Sequence, residues 1–136
     1  MRVVIDTNVL RTTINRKNFE FFIYEAFASK QFDWVVSTDI LNEYAEKLDE
    51  FYSESTADYV LDVLCNASNT IFSEPYYYWN LIKEDSDDNK FSDLAISANA
   101  HCLVTYDKHF DIFKTLEFPK LKVLNPKQFK IFLESF

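Results

Sequence analysis

Short apolar segments alternate with helical patterns along this chain, and the alternation constrains the fold more than any other feature. We predict strands at Arg2–Ile5, Phe32–Ser37, His101–Thr105 and Lys122–Leu124, and a short edge strand at Thr70–Phe72. We predict helices over residues 18–29, 40–51, 57–68, 89–100 and 128–136. Strands that alternate with helices build an α/β domain around a parallel sheet. No linker, repeat or low-complexity segment interrupts the pattern, so we expect one domain over residues 1–136.

Acidic residues stand where two of the predicted strands end. Asp6 follows the first strand in VVIDTN, and Asp107 follows the fourth in LVTYD. The acid-rich run from Asp85 to Asp93 lies between them. Because the carboxyl ends of parallel strands meet at one edge of a sheet, we expect these carboxylates to converge on one crevice. Oxygen ligands suit hard divalent cations such as Mg²⁺ and Mn²⁺, so the pattern predicts a divalent metal site.

Helix geometry indicates which other acids can reach that crevice. On the helix over residues 40–51, Glu43 lies at the border of the apolar face, while Glu46 and Asp49 lie opposite it. On the helix over residues 89–100, the apolar spacing places Asp93 away from the buried face, which predicts a surface position. Asp88 has two interpretations, as the N-cap of that helix or as part of the site.

The composition excludes several classes of protein. The sequence has no glycine, which excludes the Gly-dependent phosphate loops of P-loop and dinucleotide-binding proteins. Turns must therefore rely on Asn, Asp, Ser and three prolines. The net charge of -8 argues against binding nucleic acid by bulk electrostatics. It does not argue against a metal-dependent nuclease, because bound cations invert the local field.

The two cysteines indicate a reducing compartment. Cys65 and Cys102 lie in apolar runs without metal-ligand spacing, so we expect reduced core residues and a cytoplasmic protein. No segment is long and apolar enough to suggest a membrane partner or a signal peptide.

Other candidate residues have ordinary structural interpretations. His101 and His109 are isolated from each other and from the cysteines, and we expect structural roles for both. Lys90 is expected to form a local ion pair with a neighbouring acid. The aromatic run Tyr76–Trp79 is expected to pack under a loop, with base stacking as the alternative.

Four motifs occur in an order that resembles the PIN domain. They are VVIDTNVL, Glu43 in ILNEYAEKL, DDNKFSDLAISANA and LVTYDKHF. The DDNKF run followed by VTYDKHF resembles, more narrowly, the toxin component of VapBC-type toxin-antitoxin systems. The resemblance spans residues 1 to 130, and KVLNPKQFKIFL fits the last strand and helix of that family. Tyr106 stands where the family usually has glycine, which makes the rim bulkier but removes no ligand.

The resemblance implies a three-layer α/β/α sandwich with a mainly parallel central sheet and a Mg²⁺- or Mn²⁺-dependent endoribonuclease. The four acidic positions of the family site correspond to Asp6, Glu43, Asp93 and Asp107. Asp88 matches an additional acid of the DDNKF subgroup and completes the expected metal ligands. The expected supporting residues are Asn8, Thr7 and Thr105.

Metal-assisted hydrolysis explains why the site needs these residue types. A divalent ion activates a water and stabilises charge on the phosphoryl oxygens. Without the ion the clustered carboxylates repel one another, so we expect at least one raised pKa and a fold that divalent ions stabilise.

The resemblance also implies partners beyond the RNA substrate. A toxin of this kind requires a cognate antitoxin. We expect the antitoxin, or a second copy of the chain in a homodimer, to bind the aromatic helix that carries Phe19, Phe22, Tyr24 and Phe27. Core packing is the default interpretation for at least half of these aromatic residues.

Two other classes of protein remain as alternatives. The first is a catalytically weak PIN-like scaffold for protein interaction or RNA binding. The second is a phosphoacceptor receiver module, which fits poorly because the first strand ends in Asp-Thr-Asn and the second in Ser37-Thr38.

Overall fold

A sheet of five strands forms the centre of the computed structural model, which describes residues 1–136. The strands are β1 (Arg2–Ile5), β2 (Asp33–Val36), β3 (Thr70–Phe72), β4 (Cys102–Val104) and β5 (Val123–Leu124). Their order is β3-β2-β1-β4-β5, and every neighbouring pair is parallel. All five predicted strands are confirmed, including the edge strand β3.

Six α-helices and two 3-10 helices connect the strands. The α-helices are α1 (Thr7–Thr13), α2 (Phe21–Ala28), α3 (Thr38–Phe51), α4 (Glu54–Asn66), α5 (Asn89–Ser97) and α6 (Pro126–Ser135), and the 3-10 helices are Ser86–Asp88 and Lys108–Lys114. The chain moves from β1 to β2 and β3 in one direction, then returns across the sheet to β4 and β5. Because parallel crossovers are right-handed, this reversal places helices on both faces. The three-layer α/β/α architecture is therefore confirmed.

Side-chain caps begin several of the helices. Ser37 caps α3, Ser53 caps α4, and Asn125 forms a capping box with Gln128 at the start of α6. Helix α1 was not predicted: its run of Thr and Val has modest helix propensity, but Val9 and Leu10 are buried in the core. Packing therefore outweighs local propensity in this segment.

Helix α3 is tied to the sheet by a buried hydrogen-bond chain. The Tyr44 hydroxyl donates to the carbonyl of Ile5, and the indole N–H of Trp34 donates to the Tyr44 oxygen at 3.3 Å. Trp34 also packs edge-on against Phe27, with ring centroids 5.2 Å apart. Since Glu43 directly precedes Tyr44, these contacts fix the position of Glu43 relative to the end of β1.

Several expected core residues are exposed instead. Cys102 is buried, but Cys65 is exposed because α4 buries Ala57 and Leu64 on its other side. The expected packing of the aromatic run is wrong for its first three members, since Tyr76, Tyr77 and Tyr78 are 82%, 55% and 64% exposed.

The chain makes left-handed turns without glycine. Lys30, Asn80 and Asn99 have φ angles of 61°, 51° and 52°. Two of these residues are asparagine, as the composition suggested, but Lys30 is not. A non-glycine residue in this conformation costs about 1 kcal/mol, which the surrounding structure offsets.

The helices are short. The longest, α3, has 14 residues, and no helix combines the length and apolar character that crossing a membrane requires.

Candidate functional site

The neighbouring strands β1 and β4 lie where the strand order reverses, and this reversal opens a crevice at their carboxyl ends. Asp6 directly follows β1 and is 5% exposed. The Thr105 hydroxyl donates to Asp6 Oδ2 at 2.7 Å and accepts the backbone N–H of Asp107 at 2.9 Å. Thr105 therefore holds the segment after β4 against the carboxylate that follows β1.

Glu43 enters the crevice from α3. Its carboxylate accepts a hydrogen bond from the Thr7 hydroxyl and forms an ion pair with Lys90, with Oε1 2.8 Å from Nζ. The expected ion pair of Lys90 with an acid is confirmed, but the expectation that the acid is a neighbour in sequence is wrong, because Glu43 is 47 positions away. As predicted from the helix geometry, Glu43 is half-buried while Glu46 and Asp49 are exposed.

Asp88 lies at the junction of the 3-10 helix Ser86–Asp88 and α5. It occupies the N-cap position of α5, but its side chain accepts no capping hydrogen bond. Instead, Asp88 Oδ2 lies 3.1 Å from Nδ1 of His109, and the same nitrogen lies 3.2 Å from Asp107 Oδ1. The Asp88 carboxylate is thus directed into the crevice rather than along its own helix.

These side chains surround a cavity of about 390 Å³. The lining residues are Asp6, Thr7, Asn8, Arg11, Glu43, Lys47, Glu50, Phe51, Asp85, Asp87, Asp88 and Asp107. Seven of these residues are acidic, two are basic and one is hydrophobic. Such a lining suits a cation and its hydration shell, and it does not suit an apolar ligand.

The acids of the cavity disfavour one another's charge. Burial raises the pKa of Asp6 to about 6; the hydrogen bond from Thr105 opposes this rise, and the charges of Glu43 and Asp107 add to it. Burial also raises the pKa of Asp88 to about 7, assisted by Asp107 and opposed by the hydrogen bond with His109. The expectation of a raised pKa is confirmed, and a bound cation would remove the cause of the repulsion.

Asp93 lies apart from the other predicted site residues. It does not line the cavity, and its Oδ1 accepts the backbone N–H of Trp79 at 3.1 Å. The predicted surface position is wrong, since Asp93 is 1% exposed. The periodicity misled because the segment around Trp79 covers this side of α5. Burial raises the pKa of Asp93, and the N–H groups of Trp79 and Asn80 oppose the rise.

Sequence reasoning missed His109 as a neighbour of the acids. Its backbone N–H donates to Asp107 Oδ1 at 2.9 Å, which begins the 3-10 helix Lys108–Lys114. The imidazole Nδ1 of His109 also lies beside the Asp107 carboxylate. Asp88, Asp107 and His109 form a group whose ligand atoms lie within 4.8 Å of one another. The spacing Asp-Lys-His directly after a strand was the available signal.

Asn8 and Tyr106 shape the rim of the crevice. Asn8 lines the cavity, and its Oδ1 accepts the backbone N–H of Tyr106 at 3.4 Å. The Tyr106 hydroxyl donates to Glu20, outside the cavity. The tyrosine at this position therefore leaves the acidic cavity open.

The sequence matches the family model of the PIN domain over residues 2–109, which is most of the chain. The comparison with curated proteins gave no match.

Three solved structures share the fold. VapBC2 from Rickettsia felis, solved with a DNA fragment from its promoter, has a TM-score of 0.65 at 20% identity, covering 92% of this chain and 98% of the matched chain. VapC20 from Mycobacterium tuberculosis, a sarcin-ricin loop cleaving toxin, has a TM-score of 0.63 at 12% identity, covering 85% and 97%. FitAcB from Neisseria gonorrhoeae has a TM-score of 0.57 at 14% identity, covering 92% and 98%. Because the sequence identities lie between 12% and 20%, the structural similarity to these three proteins establishes the fold alone.

Proposed function

Because the chain belongs to the PIN domain family, we propose that residues 1–136 form one nuclease domain that hydrolyses RNA phosphodiester bonds with a carboxylate-bound divalent cation. The observation that carries the proposal is the convergence of carboxylates from four separate segments on one cavity of about 390 Å³. These carboxylates are Asp6, Glu43, Asp88 and Asp107.

The donor set fits Mg²⁺ or Mn²⁺. All four carboxylates offer oxygen, and the cavity is large enough to retain water on the ion. Burial, together with the neighbouring carboxylates, raises the pKa values of Asp6 and Asp88, so their ionised forms are disfavoured in the metal-free protein. A bound ion would supply positive charge to these acids, activate a water and stabilise the phosphoryl oxygens.

The surrounding residues orient the acids and the substrate. Thr105 fixes Asp6, while Thr7 and Lys90 fix Glu43, so the carboxylates need little reorganisation when the ion binds. Arg11 and Lys47 line the same cavity, and we assign to them contacts with the phosphates of the RNA.

The proposal assigns the two acids of the DDNKF region different roles. Asp88 faces the cavity and stays among the proposed metal ligands, whereas Asp93, which the resemblance also gave as a ligand, does not line the cavity. Asp93 holds the backbone of Trp79 and is a positioning residue for the loop that leads to the acid-rich run.

We further propose that the nuclease is the toxin of a toxin-antitoxin pair. The similarity to VapC20, a toxin, and to VapBC2 supports this role. The acidic cavity is separate from an apolar groove of about 420 Å³ between α1, α2 and α4, which is suited to an antitoxin segment. Tyr24 and Phe27 of the predicted aromatic surface both line this groove, with Phe27 as part of its buried floor. Phe22 packs against Phe129 instead.

The partner surface is tested at its exposed rim. Tyr24→Asp and Tyr59→Asp change exposed residues of the groove. They should leave RNA cleavage intact and abolish neutralisation by the cognate antitoxin. If the antitoxin still neutralises both variants, the groove is not the antitoxin-binding surface. If the variants instead sediment as a smaller species than the native protein, the occupant of the groove is a second copy of the chain.

The nuclease itself is tested by cleavage of single-stranded and structured RNAs with Mn²⁺ or Mg²⁺. The comparison includes a chelator, the Asp6→Asn variant and the control Asp58→Asn, which removes an exposed acid on α4. We expect cleavage by the native protein and the control, and none with chelator or Asp6→Asn. A metal-binding protein that cuts no RNA in the panel would favour the scaffold alternative.

A further inference from the structure

We propose that His109 is itself a ligand of the bound cation and that its nitrogen makes the centre prefer Mn²⁺ to Mg²⁺. The inference rests on the proposed metal site and deepens it. It adds to the carboxylates a donor of a different chemical type.

The geometry around His109 matches a shared ion. Its Nδ1 lies 3.1 Å from Asp88 Oδ2 and 3.2 Å from Asp107 Oδ1. Ligands bound about 2.1 to 2.2 Å from an octahedral ion lie about 3.0 Å apart when they occupy neighbouring corners. The nitrogen therefore stands at the separation of a neighbouring ligand from each of the two oxygens.

The backbone holds His109 in this place. Its N–H donates to Asp107 Oδ1 at 2.9 Å, and the 3-10 helix Lys108–Lys114 begins there. The imidazole is thus anchored to one of the acids of the cavity through its own main chain. Its side chain is 39% exposed, so the imidazole lies at the solvent-facing side of the acids.

The mixed donor set determines the expected selectivity. Mg²⁺ takes oxygen ligands and keeps much of its water, while first-row transition ions also accept imidazole. A site of carboxylates alone would discriminate weakly between Mg²⁺ and Mn²⁺. One imidazole nitrogen among the carboxylates shifts the preference to Mn²⁺.

The alternative is that a protonated His109 only offsets the charge of Asp88 and Asp107. In that case the ring has no bond to the ion and moves aside when the ion binds. The two arrangements differ in whether the nitrogen nucleus couples to the unpaired electrons of Mn²⁺.

The chain provides a matched control. His101 is the only other histidine, and its Nδ1 accepts the backbone N–H of Arg2 at 3.0 Å, at the start of β1 and the opposite end of the sheet from the cavity. His101→Gln and His109→Gln make the same chemical change at two distant places. At position 109, glutamine also offers oxygen in place of nitrogen.

The test is pulsed electron paramagnetic resonance on the Mn²⁺-loaded protein, with histidine labelled with ¹⁴N or ¹⁵N, together with titrations of Mn²⁺ and Mg²⁺. We expect a histidine nitrogen coupling in the native protein and in His101→Gln, and none in His109→Gln. We also expect the ratio of Mn²⁺ to Mg²⁺ affinity to fall about tenfold in His109→Gln alone.

The outcomes separate this inference from the proposed function. Mn²⁺ that binds tightly without nitrogen coupling, or with coupling that persists in His109→Gln, overturns the role of His109 and leaves the carboxylate site intact. A native protein that binds no Mn²⁺ overturns both.

Discussion

Replacing Asp6 by Asn is expected to stabilise the metal-free protein at neutral pH while removing metal binding. Asp6 is buried beside Glu43 and Asp107, and its pKa rises from 3.8 to about 6 in the folded state. Asparagine has nearly the same shape, keeps an oxygen that can accept from Thr105, and carries no charge. The change therefore removes the unfavourable charge with little loss of packing.

The sign and size of the effect follow from proton linkage. The folded protein retains the Asp6 proton at pH values where the unfolded chain has released it. Stability from this group is therefore lost as pH rises from about 4 to about 6, and it stays low above pH 6. The two pKa values differ by about 2, and each unit corresponds to about 1.4 kcal/mol, so Asp6→Asn should be about 3 kcal/mol more stable at pH 7. At pH 4 the difference should fall to about 0.5 kcal/mol, because the unfolded chain has released only part of this proton there.

The assay is urea unfolding with a chelator at pH 4, 6 and 8. Asp58→Asn, an exposed change, corrects for the general effect of removing one negative charge from an acidic protein. In Mn²⁺ at about a thousand times its dissociation constant the order should reverse, because only the native protein gains binding energy, about 4 kcal/mol. If Asp6→Asn without metal is no more stable than the control at pH 8, the conclusion that burial and neighbouring charges disfavour the ionised form of Asp6 is wrong.

Three further predictions concern the ion, the loop and the core. Mn²⁺ at a hundred times its dissociation constant should raise the free energy of unfolding of the native protein by about 3 kcal/mol and leave Asp107→Asn nearly unchanged in the same thermal scan. Asp93→Ala should lower the free energy of unfolding by about 1 to 3 kcal/mol, because the Trp79 N–H loses its acceptor. Its Mn²⁺ affinity by calorimetry should stay native, and a loss of affinity would return Asp93 to the site. Tyr44→Phe should cost about 1 to 3 kcal/mol in urea unfolding, since the Ile5 carbonyl and the Trp34 indole lose a buried partner; an unchanged midpoint would show that this chain of bonds stabilises nothing.

The sequence predicted the elements that depend on strong local signals. Apolar strands followed by Asp6 and by Thr105 to Asp107 identified the edge of the sheet where the acids meet. Apolar periodicity identified the helices over residues 40–51, 57–68 and 128–136, which correspond to α3, α4 and α6. Each of these signals lies within a few residues of the feature that it predicts, so it can be recognised in a single sequence.

The sequence did not predict features that depend on distant contacts. The burial of Asp93 results from the loop at Trp79, which lies 14 positions earlier. The partner of Lys90 is on another helix, and His109 meets Asp88 only when β4 lies beside β1. A prediction from helical periodicity assumes that the polar side of a helix faces water. The prediction is wrong where an irregular loop covers that side.

The two tryptophans allow intrinsic fluorescence to report separately on the core and on a surface loop. Trp34 is a core residue, 2% exposed, whereas Trp79 lies on the surface loop that Asp93 holds, with its ring near Tyr77 and Phe118. Since the chain has no other tryptophan, Trp79→Phe leaves an emission spectrum that comes from the core alone. The difference between the two spectra follows the loop, so intrinsic fluorescence distinguishes local opening beside the acid-rich run from unfolding of the whole domain.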